Sequence, residues 1–365
     1  MLSSIVPPEC TQYHEYTLIP WSMLVDLQHL SDLCPIIERW DTSSAWLRRY
    51  LNVSTVETAH IKDLHPYHFQ LFDNAHDSHP LKPKYYQRIN IPDMASELES
   101  YRLIHFGTLF GTTRLRLTSP DGIRFRRQVR ERMVFQNPAL LRIARSISSL
   151  VGGDETGAGY VGIHLRLGDS FAIDGYRNSR SMWWTLLHKG FHLDMSEIAR
   201  IESDTLGPNG AHDLTPPNLH IDETAHRYPH PPLSDVRYLN QSNHRNCLGT
   251  LHSRLEHSAL NTPIFIATDV KKPRVHLALE LFRKTLPCVF FLSDFDNVLS
   301  PLKTSDIFFN DDEGLRVDTF LLPFVDAMVA SMGREVLGTP HSTFSRFTVD
   351  VLHRAYHGWP IVERG

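Results

Sequence analysis

The sequence predicts an α/β protein built on a doubly wound parallel sheet, and three observations carry that expectation. Short apolar runs at residues 160–165, 264–268, 288–292 and 335–338 have the length of buried strands. Helical patterns lie between and after them: Val275, Leu279 and Phe282; residues 317–332, interrupted by Pro323; and residues 343–356. Strands that alternate with helices imply parallel pairing through right-handed crossovers. The third observation is polar: a charged or hydroxyl-bearing residue follows each strand, where open parallel sheets bind their ligands.

Before that region the elements are less regular. Leu24, Leu27, Leu30 and Leu33 recur at helical spacing, and no Gly-rich turn follows an early strand. Residues 56–90 are rich in histidine and proline, with His60, His65, His68, His76 and His79. No H-E-x-x-H and no i, i+4 histidine pair occurs there, so solvated loops are expected rather than a metal site. Residues 103–117 read as an ordered segment around Phe106-Gly107 and Phe110-Gly111.

Ser119-Pro120 starts a helix, with serine as the cap and proline in the first turn. Phe125, Val129 and Met133 would face inward, and Arg124, Arg126, Arg127, Arg130 and Arg132 outward. These arginines lack interleaved aromatics, and the chain carries a formal net charge of -4. The expectation is therefore a solvated amphipathic face and no nucleic-acid partner. Asn137-Pro138 starts a second helix, with Leu140, Ile143, Ile147 and Leu150 inward. A helical pattern spans residues 181–201. Residues 204–245, rich in Pro, His, Asn and Gly, read as a surface insertion, and regular alternation resumes at Pro263.

A chain of 365 residues can hold two cores, and 41% hydrophobic with 21% charged residues is ordinary for a globular protein. The division expected is residues 1–150 and 151–365. The cysteines Cys10, Cys34, Cys247 and Cys288 form no C-x-x-C pair, which leaves one or two disulfides open. No apolar stretch approaches the ~18 residues of a membrane span, and no basic, then apolar leader begins the chain. Asn52-Val53-Ser54 and Asn240-Gln241-Ser242 match the N-glycosylation pattern, which is common by chance.

The strand successors form one candidate site. They are Leu165-Arg166-Leu167-Gly168-Asp169, then Asp269, then Ser293-Asp294, then Thr339-Pro340-His341-Ser342-Thr343. Burying His164, Arg166 and Asp169 at a strand end costs several kcal/mol unless partners are supplied. An arginine beside a Ser/Thr helix start is a phosphate-binding combination. An aspartate accepting two N–H bonds would suit guanine, though nothing here selects that base. GxGxxG and GxxxxGK[ST] are both absent, which argues against a dinucleotide dehydrogenase and a P-loop enzyme. Transfer, hydrolysis and simple binding stay open on these residues alone.

The run from Ile163 through Asp169 resembles the H-x-R-x-G-D motif of the protein O-fucosyltransferase family. Ile266-Ala267-Thr268-Asp269 is similar to that family's A-T-D motif. The stretch from Asp326 through Gly338-Thr339-Pro340-His341-Ser342-Thr343-Phe344-Ser345 is similar to its D…G-T-x-x-S-T-F-S motif. The resemblance implies two Rossmann-like domains in the GT-B arrangement, GDP-fucose as donor, inversion at the anomeric carbon, and no metal or other cofactor. It implies that Arg166 binds the diphosphate and stabilises departing GDP, as the catalytic residue. His164 would position the loop, with Gly168 and Asp169 in the same motif. Asp269 would hold guanine or ribose; Ser342, Thr343 and Phe344 would bind phosphate and flank the base. The partners implied are a nucleotide sugar and an acceptor, protein or glycan, that the sequence does not name. The family's compartment is the ER and Golgi, although the chain shows neither signal nor anchor.

One departure is expected. Family members begin with a strand and a Gly-rich loop ending in Asn-Gln, and residues 1–50 hold nothing similar. The first domain is therefore expected to lack that strand and loop. This keeps a catalytically impaired GDP-sugar-binding descendant, or a shortened gene product, as the alternative. A nucleotide hydrolase using Asp169, Asp269 and Asp294 to hold Mg2+ is a further one.

Overall fold

The structure, a computed structural model, describes residues 20–38, 44–65, 67–106, 113–152, 159–168, 175–207, 216–217, 219, 247–304, 309–310, 315–316 and 318–362. The chain divides into two compact units. One is chiefly Leu27–Met133; the other is Val134–Val362 together with Met23–Asp26.

The N-terminal unit contains helices α1 (Gln28–Ser31) and α2 (Ser44–Leu51), strands β1 (Thr58–Ile61), β2 (Phe69–Phe72) and β3 (Gln87–Asn90), helix α3 (Ile91–Glu97), strands β4 (Leu103–Phe106) and β5 (Leu115–Arg116), and helix α4 (Pro120–Arg132). Its strands pair in parallel, in two small sheets: β1 with β4, and β2 between β3 and β5. Every residue of β2 is buried. The Arg88 and Arg114 guanidinium groups lie 3.8 and 4.5 Å from the ring centres of Phe72 and Phe69. Such stacking lets a cation cover an apolar strand. Arg114 is buried in turn, and Asp63 pairs with it at 2.8 Å.

Two sequence expectations change in this part of the chain. The helix over Leu24–Leu33 shrinks to α1, because Val25 forms a β-bridge with Phe135 instead. Helix α4 is capped as expected, with Ser119 Oγ accepting from Gly122 N–H at 3.0 Å. No residue of α4 is buried, however, and Phe125 is 46% exposed. Within the unit it packs on α1, which at four residues is too short to cover an inward face.

The C-terminal unit contains α5 (Pro138–Val151), β6 (Val161–Leu165), α6 (Gly175–Thr185), α7 (Met195–Leu206), β7 (Ile264–Thr268), α8 (Glu280–Thr285), β8 (Val289–Phe290), α9 (Asp296–Thr304), a small antiparallel pair β9 (Phe309–Asn310) and β10 (Leu315–Arg316), α10 (Asp318–Ser331), β11 (Glu335–Gly338), α11 (Thr343–Phe347) and α12 (Arg354–Tyr356). A π-helical stretch, Thr348–His353, joins α11 to α12, so the helix expected over residues 343–356 is one continuous run.

Its main sheet has the order β11-β6-β7-β8, parallel throughout. Side chains of a strand alternate between faces. Val161, Ile163 and Leu165 of β6 join Met182, Trp183, Trp184, Ile198 and Phe282, from α6, α7 and α8, in one core. On the opposite face α10 lies on β6 and β7, with α5 against it. Gly162 makes this close approach possible: a Cβ there would stand 1.8 Å from the Ala330 carbonyl oxygen. Helices thus cover both faces, an arrangement compatible with a Rossmann-like α/β fold.

Because α5 packs on α10, the division between units falls at Val134 rather than at residue 150. Leu140, Ile143 and Ile147 are buried as expected, but Leu150 is exposed and Val151 takes the next inward position. Helix α10 continues through Pro323, which sits in its second turn and removes one N–H donor. Cys247 and Cys288 form a disulfide that ties the stretch after the insertion to the start of β8. Most of the expected insertion, including Asn240, lies outside the described residues, as do Cys10, Gly107, Phe110, Gly111 and Asp169. Among the described residues no helix is long and apolar enough to cross a membrane.

Candidate functional site

Strand β6 is followed along the sheet by β7 and then β8, whereas β11, the last strand of the chain, lies on its other side. Strand order therefore reverses between β6 and β11. At such a switch point the loops leaving the strand ends part and open a crevice. The loops that meet here are residues 166–168 after β6 and 339–342 after β11.

Hydrogen bonds tie the two loops together. Thr339 N–H donates to the His164 carbonyl at 3.0 Å. The Thr339 hydroxyl accepts from Arg166 N–H at 2.8 Å. From the other side Asp269, directly after β7, grips the same loop. Its Oδ1 accepts from Leu167 N–H at 2.8 Å, its Oδ2 accepts from Gly168 N–H at 2.9 Å, and Arg166 Nε lies 3.1 Å from Oδ2. Glycine at 168 leaves room for this contact, since a Cβ would stand 2.6 Å from Asp269 Oδ2 and push the carboxylate aside. The Arg166 side chain is about a third exposed (34%), so its charge sits at the rim, braced by a carboxylate but reachable.

His164 is buried in the wall beneath. Its Nδ1 lies 2.7 Å from Ser345 Oγ, and its ring meets Phe344 edge-on at 5.0 Å. Burial pushes its pKa down to about 4; Asp269 opposes that shift and Arg166 adds to it. The imidazole is therefore neutral at pH 7. Ser342 caps the final helical run, its Oγ accepting from Ser345 N–H at 3.3 Å. Thr343 is exposed at the start of that run, and Phe344 is half-buried. His341, in the turn before the cap, adopts a left-handed φ of 61°.

The fold thus gathers His164, Arg166, Gly168, Asp269, Ser342, Thr343 and Phe344 at one sheet edge. Asp294 belongs to a separate arrangement at the end of β8, where it pairs with Arg274 and accepts from Phe291 N–H at 2.8 Å. Of the histidines in residues 56–90, His65 and His68 stack at 6.1 Å, and among the described residues no three His, Cys, Asp or Glu side chains form a metal-sized group.

The roles of two kinds of residue escape a reading of the strand successors. Thr339, itself one of those successors, and Ser345 brace neighbouring groups, and only their partners reveal it. Asp326 is buried on α10, and its Oδ2 accepts from Thr268 N–H at 2.9 Å, next to Asp269. Burial raises its pKa well above the usual carboxylate range. The available signal was a lone carboxylate in the otherwise apolar stretch from Phe320 to Ala330.

Chemically the edge suits an anion. It offers one braced guanidinium, and the unsatisfied N–H groups at the start of a long helical run, with an aromatic ring alongside. Compared with known proteins, the chain matches no family model and no curated protein.

Proposed function

We propose that the chain is a glycosyltransferase that transfers fucose from GDP-fucose to a hydroxyl acceptor, with inversion and without a metal, its two units serving as the halves of a GT-B enzyme. One observation carries the reading: Asp269 and Thr339 together hold the loop that presents Arg166 at the switch point, beside the Ser342-capped helix start. In such a transfer the sugar C1–O bond breaks and charge grows on the diphosphate. A fixed guanidinium and helix-end N–H groups stabilise that charge in the transition state. Arg166 has this role. Neutral His164 and Ser345 stiffen the wall behind it, Phe344 flanks the guanine, and Ser342 and Thr343 face phosphate. Asp269 first positions Arg166; its contact with guanine or ribose uses the lone pairs that the loop leaves over. The Cys247–Cys288 disulfide suits an oxidising compartment such as the ER or Golgi.

The test is calorimetric titration with GDP, followed by GDP release from GDP-fucose in excess EDTA. Binding that Arg166→Ala abolishes, with release that EDTA leaves unchanged, is the expected result. Binding without release assigns the chain to the non-catalytic alternative. Release that EDTA stops assigns it to a metal-dependent hydrolase.

A further inference from the structure

We propose that Asn52 carries an N-linked oligosaccharide, a modification independent of the fucose-transfer reading. The pattern Asn52-Val53-Ser54 alone is weak, but three features of the fold bear on it.

The first is position. Asn52 is exposed and directly follows the last residue of α2, with a left-handed φ of 49°. Asparagine is one of the few residues that accept this conformation at a helix end. Arg102 clamps the backbone there, donating from Nη1 to the Asn52 carbonyl at 2.7 Å and from Nη2 to the Leu51 carbonyl at 3.3 Å. The carboxamide makes no hydrogen bond among the described residues, so a glycan on Nδ2 breaks none of their contacts.

The second is the hydroxyl that the acceptor pattern requires. In the folded chain Ser54 Oγ donates to Glu57 Oε2 at 2.6 Å, and Ser54 N–H donates to the same oxygen at 2.9 Å. A transferase needs that hydroxyl unengaged. Modification therefore precedes closure of the 54–57 turn and takes place during synthesis.

The third is the Cys247–Cys288 disulfide, which marks folding in an oxidising lumen, where lipid-linked oligosaccharides are also transferred. The Asn52 Nδ2–C1 bond forms as the C1–O bond to the lipid pyrophosphate breaks. The pyrophosphate leaves with the electron pair, and the amide proton passes to the transferase.

The experiment expresses the full chain behind a cleavable secretory leader in eukaryotic cells. The peptide containing residue 52 is then mapped by mass spectrometry before and after digestion with peptide N-glycosidase F. A glycan on Asn52 is expected, released by the glycosidase. Asn52→Asp, which tolerates the same backbone, should lose it. Ser54→Thr, which keeps both the acceptor pattern and the cap, should retain it. Unmodified Asn52 in folded wild-type chain with the disulfide formed overturns the proposal, as does a glycan confined to Asn240.

Discussion

His164 Nδ1 and Ser345 Oγ lie 2.7 Å apart although 181 residues separate them in the chain. The contact joins the carboxyl end of β6 to the first turn of the final helix. It occupies both groups: the serine hydroxyl faces a buried imidazole and not the crevice. The wall behind Arg166 therefore presents a neutral imidazole, and Arg166 carries the charge of its loop among the described residues.

A pH dependence follows from His164. Its ordinary pKa of 6.5 falls to about 4 on folding, so the unfolded chain binds the proton more readily. Stability attributable to this group is fully present above pH 6.5 and is lost as pH falls toward 4. The loss is on the order of 3 kcal/mol. Urea unfolding at a series of pH values should show wild type losing this increment relative to His164→Gln. A difference between the two that stays constant over that window would refute the assignment.

Asp326 has the opposite sign. Its pKa is raised by burial, so the folded state holds the proton more tightly. Its contribution is fully present below the unfolded carboxylate value of 3.8 and declines as pH rises toward the folded one. Asp326→Asn keeps an acceptor for Thr268 N–H and cannot ionise. The variant should match or exceed wild type in melting temperature at pH 8, with a flatter pH profile. A variant less stable than wild type at every pH would show that the carboxyl has another task.

The loop grip sets a binding prediction. On the proposed reading, Asp269→Asn removes the charge that braces Arg166 and should weaken GDP binding by roughly 10-fold, equivalent to about 1.4 kcal/mol. Gly168→Ala pushes a methyl group toward Asp269 Oδ2, and should weaken binding similarly without altering the melting temperature much. Calorimetric titration with GDP checks both. Unchanged affinity in the pair would separate the loop from the ligand site.

The disulfide is the fourth test. It closes a sequence separation of 41 residues that includes the stretch before β7. Cys288→Ser should cost about 2–5 kcal/mol. Wild type in excess reductant should shift by a similar amount, measured by guanidinium unfolding. A reductant-insensitive wild type would refute the bond.

Much of the C-terminal unit was legible before the fold. Strands β7 and β11 fall on the residues expected, since each is a continuous apolar run with polar ends. Ser119, Asn137 and Ser342 cap helices because their side chains reach the first free N–H groups, a contact made within three residues. Strand β8 is shorter than expected, two residues instead of five, because Phe291 N–H turns to Asp294 and a 3-10 turn begins at Leu292.

Local chemistry thus allowed the sequence by itself to determine the parallel α/β character, the strand ends and the helix starts, and so which residues share one sheet edge. Only the tertiary structure decided what those residues do to one another. Asp269 braces the Arg166 loop through both oxygens, Thr339 and Ser345 serve as struts, Asp294 turns to Arg274, and Cys247 pairs with Cys288. Each of these is a contact between groups brought together by chain crossovers. Residue type and spacing set which bonds a side chain can make, but only the packed fold sets which partner comes within reach.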